Sequence, residues 1–406
     1  MSHIARRLIL ESEGSQSVDV PYEDAPVPEG THEEICSIDS GLAAHYDELC
    51  QLQDQAMAYE TVLEQFPTGT VITEREQALL KSFVNLSLAG TGLSTENFKS
   101  FREKNYSMGL EDTADSFWDT LKKVLEKIIE AIRIFFNWLT KSNTTVEQSQ
   151  ASTEKLLEEM VAEAKKDPHK IWIGRISAHE LSNFSEEGPK SSTSTLFGAK
   201  IIEEFHDACK KAVDVFHAYT NELEQLTETH KDPAILAEEV MKRFESLKRE
   251  GVQGSRGPSA DHFFAHVCGR WYISINRKSL ESSLIHDTAG IEHSKMMDVK
   301  IEGSAIEELA RSYKAKCDQT FSVVTSSKSA SKASVAALEK EVRQGAVATD
   351  KVFRTQGDHA ADSEERKAAM MNRNIARLSL TVTQAYAKMI RLSFDLDKAI
   401  NSWLRR

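Results

Sequence analysis

His262, His266 and Cys268 share the run DHFFAHVCGR. Two imidazoles four residues apart on one helix face can share a metal ion, because nitrogen ligands at that spacing converge on one point. The run lacks the glutamate of an HExxH site, a β-branched stretch follows almost at once, and no fourth ligand accompanies it. The pair therefore reads as partly buried histidines beside Phe263 and Phe264. His286-Asp287 and His206-Asp207 have the composition of metal-phosphohydrolase dyads, but neighbours in sequence point to different faces of a helix or strand. Gly251, Gly254 and Gly257 lie in a loop with no GK[ST], so no phosphate-binding loop forms there. No GxSxG elbow, GxGxxG fingerprint or kinase signature is present. The expectation is a chain with no catalytic residues, no cofactor and no metal, one that works by packing against other macromolecules.

The elements that would position any such site are mostly helical. The 406 residues are 40% hydrophobic and 28% charged, with 18 glycines and 8 prolines, a mix that suits a globular chain rich in exposed helix. Cys36, Cys50, Cys209, Cys268 and Cys317 are scattered without a CxxC pair, which argues against a disulfide framework and for a reducing compartment. Leu8-Ile9-Leu10 is too short for a signal-peptide core, and no uncharged apolar run of membrane-spanning length occurs.

Residues 1–39 form an acidic N-terminal tail; within it 11–35 carries three prolines and no hydrophobic period, and reads as disordered. Residues 40–141 form a helical leader. One helix runs from Ser40 to about Phe66. A second opens on a capping box at Thr73 and Glu76. The third, 115–141, places Phe117, Leu121, Val124, Ile128, Ile132, Phe135 and Leu139 on one face, with lysines and acids opposite. That face must bury itself in a core, on a partner or at a membrane interface, and it is the candidate docking surface. Residues 142–153 are polar and read as a linker between domains.

The body, 154–406, reads as helix 153–166, strand 170–176, polar loop 182–194, helix 195–227, helix 234–249 and strand 271–276. The two strands are expected to pair with each other as a small β element. Ser304 and Glu307 make a capping box opening a helix over 304–345. Met371, Ile375, Leu378, Val382, Ala385, Met389, Leu392, Leu396, Ala399 and Trp403 then repeat at heptad-like spacing, which argues for coiled-coil-like packing within the chain or between chains. The predicted fold class is mainly α: an elongated helical bundle or set of hairpins with a small antiparallel β element.

Charge is unevenly spread. Residues 1–60 carry −11, residues 61–154 carry −3, and the remaining body is +1 against a total of −13. An acidic front piece on a near-neutral body suggests regulation or processing there. Segment 371–406 carries Arg373, Arg377, Lys388, Arg391, Lys398, Arg405 and Arg406 against Asp395 and Asp397. Such a helix could lie along phosphates non-specifically; the alternative is a solvated coiled-coil flank.

The aromatic amphipathic helix SFWDTLKKVLEKIIEAIRIFFNWL, the helix–strand–helix organisation behind it and the acidic leader with small-x-Glu tripeptides together resemble the internal head proteins of phiKZ-like giant bacteriophages. The resemblance covers about residues 110–406. It implies a non-enzymatic virion protein, made in the bacterial host cytoplasm, packaged with the genome in the head interior, and trimmed by a head-maturation protease that cuts after the glutamate. Ser152-Thr153-Glu154, Ala58-Tyr59-Glu60, Ser94-Thr95-Glu96 and Ser185-Glu186-Glu187 match that pattern, making Glu154, Glu60, Glu96 and Glu187 the candidate cleavage positions. Implied partners are other virion, capsid or scaffold proteins, the protease and packaged DNA, with self-association through the C-terminal helix. The alternatives are an intracellular helical adaptor or oligomeric scaffold, and a peripheral membrane protein binding through helix 115–141.

Overall fold

The computed structural model describes residues 143–186, 195–229, 233–252, 261–292, 295–354 and 364–404, with Glu130, Arg133 and Ile134 as separate positions. The expected tail, the leader helices apart from Glu130, Arg133 and Ile134, and the docking face Phe117, Leu121, Val124, Ile128, Ile132, Phe135 and Leu139 lie outside the described residues. By internal contacts the chain divides into two units, one of Met1–Glu29, Asp47–Ala131 and Val342–Gly357, the other of Gly30–Tyr46, Ile132–Glu341 and Asp358–Arg406. Everything below concerns the second, apart from the end of one helix, from Val342, which belongs to the first.

Its elements run α1 Asn143–Lys166, β1 Ile171–Ser177, α2 Ala178–Leu181, β2 Thr195–Phe197, α3 Gly198–Thr229, α4 Pro233–Phe244, β3 Lys248–Arg249, β4 His262–Cys268, β5 Trp271–Asn276, β6 Ser282–His286, β7 Met296–Glu302, α5 Ile306–Arg354 and α6 Glu364–Leu404. The fold is mixed α and β, which corrects the expected helical bundle. Among the described residues seven strands build two sheets, one ordered β1-β7-β2 and the other β3-β4-β5-β6. The two strands expected to pair lie in different sheets: β1 pairs antiparallel with β7, and β5 lies between β4 and β6. Strand β7 (MMDVKIE), which the sequence reading did not expect, alternates with the period of a half-buried strand and buries Met297, Val299 and Ile301. Strand β4 (HFFAHVC) is buried along its second half, so its apolar run carries no period that separates strand from helix.

The stretch expected to be a linker, 142–153, is helical from Asn143 and continues into α1 without a break. Its polar residues lack the glycine or proline that would end a helix, and Thr153 is fully buried, where Asn401 Nδ2 donates to its hydroxyl at 2.9 Å. Helix α2 opens on a capping box: Glu180 N–H donates to Ser177 Oγ, and Ser177 N–H donates to the Glu180 carboxylate, both at 3.0 Å. Helix α5 begins at Ile306 behind a 3-10 turn over Gly303–Ala305.

Helix α6 is the centre of the unit. It touches α1, α3, α4, β1 and β6. From Asn374 to Leu404 it is buried on nearly every side, so the heptad positions from Met371 to Trp403 are occupied inside the same chain. A helix enclosed in this way must also place its polar side chains inside, and each then needs a partner. Ser334 Oγ donates to the Ser379 carbonyl at 2.9 Å and shares a hydrogen bond with Thr383 Oγ1 at 2.8 Å. Thr320 and Ser393 share one at 2.7 Å. Lys316 and Asp397 form a buried ion pair, and Tyr313 OH donates to the same carboxylate at 2.9 Å. On the opposite side Ser282 meets Thr381 at 2.9 Å, and Tyr219 OH donates to the Ile375 carbonyl at 3.0 Å. Near its C-terminus Trp403 lies against Gly174 of β1 so closely that a Cβ there would stand 2.3 Å from the indole.

Candidate functional site

The chemistry-bearing groups that the fold does bring together lie where α2, the β4–β5 turn and the end of β6 meet. Gly269 makes that turn with φ +50, and a side chain on it would strike the Asn183 backbone at 2.4 Å. The close approach lets Arg270 N–H donate to the Ser182 carbonyl at 2.7 Å, which fixes the segment after α2 against the turn. Trp271 and His286 are cross-strand partners in the β5–β6 ladder, and their rings stack with centroids 4.5 Å apart and planes 2° from parallel. His179 approaches His286 edge-on at 5.5 Å, and Lys388 Nζ of α6 lies 4.0 Å from the Trp271 ring centre. Ser182 Oγ is 3.0 Å from His286 Nε2.

A serine beside an imidazole is the beginning of a nucleophile–base pair. Here it goes no further. The Ser182 hydroxyl donates to the His179 carbonyl at 2.6 Å, so its proton points away from the ring. Ser182 is fully buried, with no surface for a substrate carbonyl to approach. Asp287 turns from the ring: Arg270 Nη2 donates to one of its oxygens at 3.2 Å and Ala289 N–H to the other at 3.0 Å. Burial pushes the His286 pKa down to about 4, assisted by the charges of His179, Lys388 and Arg270. The ring is therefore neutral at pH 7, and weaker as a base than catalysis near neutrality requires.

The other singled-out groups are separate from this cluster and from one another. His262 and His266 sit on strand β4, not on a helix; His262 Nδ1 meets Ser274 Oγ at 2.8 Å, and His266 Nε2 donates to the Gly269 carbonyl at 2.8 Å. Burial lowers the His266 pKa as well. Cys268 follows a register shift in β4, and its thiol is hydrogen-bonded to that of Cys209 on α3, whose pKa burial raises well above the ordinary value. His206 bonds its neighbour Asp207 at 3.3 Å. Among the described residues no group of three or more His, Cys, Asp and Glu side chains could hold a metal ion. A void between α3, α5 and α6, lined by His206, Cys209, Lys316 and Thr320, measures about 10 Å³, room for a single water.

Of the candidate cleavage positions, Glu154 is exposed but lies within α1 directly after buried Thr153. Glu60, Glu96 and Glu187 lie outside the described residues. Arg377, Lys388 and Arg391 are half-buried around α6, so these residues do not form an exposed basic stripe. No described helix is long and apolar enough to cross a membrane.

Compared with family models, curated proteins and solved structures, the chain matches none. Its functional reading therefore rests on the chain's own chemistry. Ser182, His179 and Lys388 carried no sequence signal as a group, because Lys388 lies 206 and 209 residues from the other two and they meet only through the fold.

Proposed function

We propose that this chain is a non-enzymatic structural protein of a phage head interior, packaged with the genome among other virion proteins and trimmed at its acidic front by a head-maturation protease. The observation that carries the non-enzymatic part is the geometry at Ser182. The grouping nearest to a catalytic pair has its hydroxyl proton committed to the His179 carbonyl, a buried oxygen and a ring of depressed basicity. The side chains that could do chemistry hold the fold together instead.

The virion part is supported by the resemblance of helix 115–141 and by the charge distribution. A processing protease binds its substrate extended, so cleavage after Glu154 would require α1 to unwind and Thr153 to leave its bond with Asn401. Cleavage after Glu187 would divide the folded body between α2 and β2, next to Ser185, which donates to Glu204 at 2.5 Å. Glu60 and Glu96 lie outside the described residues. A cut after Glu96 removes a leader of net −13 and leaves a neutral remainder, which suits packing beside DNA. Helix 115–141 would stay on that remainder as its docking element.

Intact mass and N-terminal sequencing of the protein recovered from native particles test this. A mature chain beginning at Asn97, or just after Glu60, supports the proposal. Full-length chain found only in the soluble cell fraction overturns it. Within the same reading, changing Phe117, Ile128 and Phe135 together to polar residues abolishes incorporation into heads.

A further inference from the structure

Among the described residues β1 is an edge strand, with an unpaired backbone edge and exposed apolar side chains on its outer face. The ladder with β7 is bracketed by Gly303 N–H donating to the Lys170 carbonyl and Ala178 N–H donating to the Lys295 carbonyl, each at 2.8 Å. In an antiparallel pair such hydrogen-bonded residues alternate with residues whose N–H and C=O point away. Trp172, Gly174 and Ile176 therefore bond to β7, and Ile171, Ile173 and Arg175 turn their backbone groups outward. No described residue supplies these groups with a backbone partner. The next outward donor, Ser177 N–H, is taken by the Glu180 carboxylate, so the capping box closes the row at that end.

The same three residues point their side chains into solvent. Ile171 is 47% and Ile173 56% exposed, while Trp172 and Ile176 on the other face are buried and Gly174 is pressed against Trp403. The strand is thus packed on its inner face, with an open backbone edge beside an outer face that exposes Ile171 and Ile173. Natural edges are usually blunted by a proline, a bulge or a central lysine, and the middle of β1 has none of these.

We propose that this edge pairs with β1 of a second copy of the chain, antiparallel and centred on Ile173, to make one continuous sheet across a two-fold axis. The charges favour this occupant and register. With Ile173 opposite the partner's Ile173, Arg175 falls opposite the partner's Ile171, whose own neighbour on β7 is Glu302. Each Arg175 then lies between its own Asp298, 3.4 Å away, and the partner's Glu302, a carboxylate that Lys300 of the same chain as that glutamate also contacts at 2.7 Å. The isoleucines meet at the centre, and the outward N–H and C=O groups of Ile171, Ile173 and Arg175 all find partners. Such an interface is isologous, as most closed dimers are. The inference goes beyond the virion reading and does not depend on it.

Sedimentation velocity of the full chain over a wide concentration series tests the pairing. The wild type shifts from one chain mass to twice that mass as concentration rises. Ile173→Lys places two ammonium groups face to face on the axis and abolishes the shift, and Ile173→Asp does the same. Mixing these two variants restores the double mass, which shows that each is folded and that the contact is 173 to 173. Met296→Lys, on the same outer face but away from the edge, leaves the dimer intact. Two results overturn the proposal: a wild type of single mass throughout, or a dimer that survives Ile173→Lys. In the first case, slow hydrogen exchange at Ile171 and Ile173 assigns the edge to another segment of this chain, and fast exchange leaves it open to a different protein.

Discussion

In the seam between α5 and α6, Lys316, Asp397, Tyr313 and a row of serines and threonines lie out of water, whereas on the outer face of β1, Ile171 and Ile173 lie in it. The two regions depart from the usual distribution of polar and apolar groups in opposite directions. The difference is one of pairing: most polar groups of the seam have partners, although Gln319 Nε2 is buried without a hydrogen bond. Within the seam, the Lys316–Asp397 pair, Tyr313 and the Ser334–Thr383 and Thr320–Ser393 contacts satisfy one another inside the chain. Along β1 the backbone donors and acceptors have no described partner and the side chains no cover. A buried polar seam whose groups mostly pair with one another stabilises one alignment of two helices. The edge of β1, without a described backbone partner, is where the proposed second copy would pair.

The largest effect expected from breaking this contrast is in the seam. Asp397→Ala strands the Lys316 ammonium in a site that excludes water, and lowers unfolding stability by about 3–5 kcal/mol in denaturant titration. Replacing both partners, Lys316→Met with Asp397→Leu, recovers most of that loss, because the cost lies in the unpaired charge and not in the missing attraction. If the double variant is as unstable as the single, the pair contributes more than mutual neutralisation. Next comes the inner face of β1. Gly174→Ala drives a methyl into Trp403 and costs about 1–3 kcal/mol, read as a lower thermal midpoint.

The ring cluster lies between the two extremes, and its test is pH. His286 binds its proton near pH 4 when folded and near 6.5 when unfolded. Between those values the unfolded chain holds more protons, so stability is fully present above about pH 6.5 and falls as pH drops towards 4. His266 shifts in the same direction and adds to the slope. Thermal melts across this range should flatten in His286→Gln; an unchanged slope would mean that the ring does not titrate on folding. The smallest effect belongs to the outer face of β1, where Ile173→Thr changes the stability of the isolated chain by less than about 0.5 kcal/mol. A large loss there would show that the face is covered within the chain, and the comparison would collapse.

Much of the helix content was legible. The buried face of α3 follows the apolar spacing of Ile201, Phe205, Ala212, Phe216, Tyr219, Leu223 and Leu226, and β5 falls on its β-branched and aromatic run at Trp271–Asn276. Strands β4, β6 and β7 were missed for separate reasons. Strand β6 has five residues and opens on two serines; β4 carries two histidines in an apolar run without alternation; β7 alternates, but its charged positions resemble a solvated helix flank. Of the cluster, only His286 and Asp287 attracted notice, and for adjacency, which the structure shows to be irrelevant because Asp287 turns to Arg270. The Thr153–Asn401 contact, which makes a polar stretch part of a core, joins residues 248 positions apart.

By itself the sequence determined which segments are helical by period, where the acidic charge lies, and that the familiar catalytic motifs are missing. These are local properties, readable from neighbours within a turn or two of chain. The tertiary structure alone decided that the C-terminal helix is enclosed by its own chain, that β1 and β5 belong to different sheets, and that Ser182 faces a ring 104 residues away. Burial and strand pairing are set by contacts between distant segments. An amphipathic or heptad-like pattern states that a face must be covered, and says nothing of what covers it.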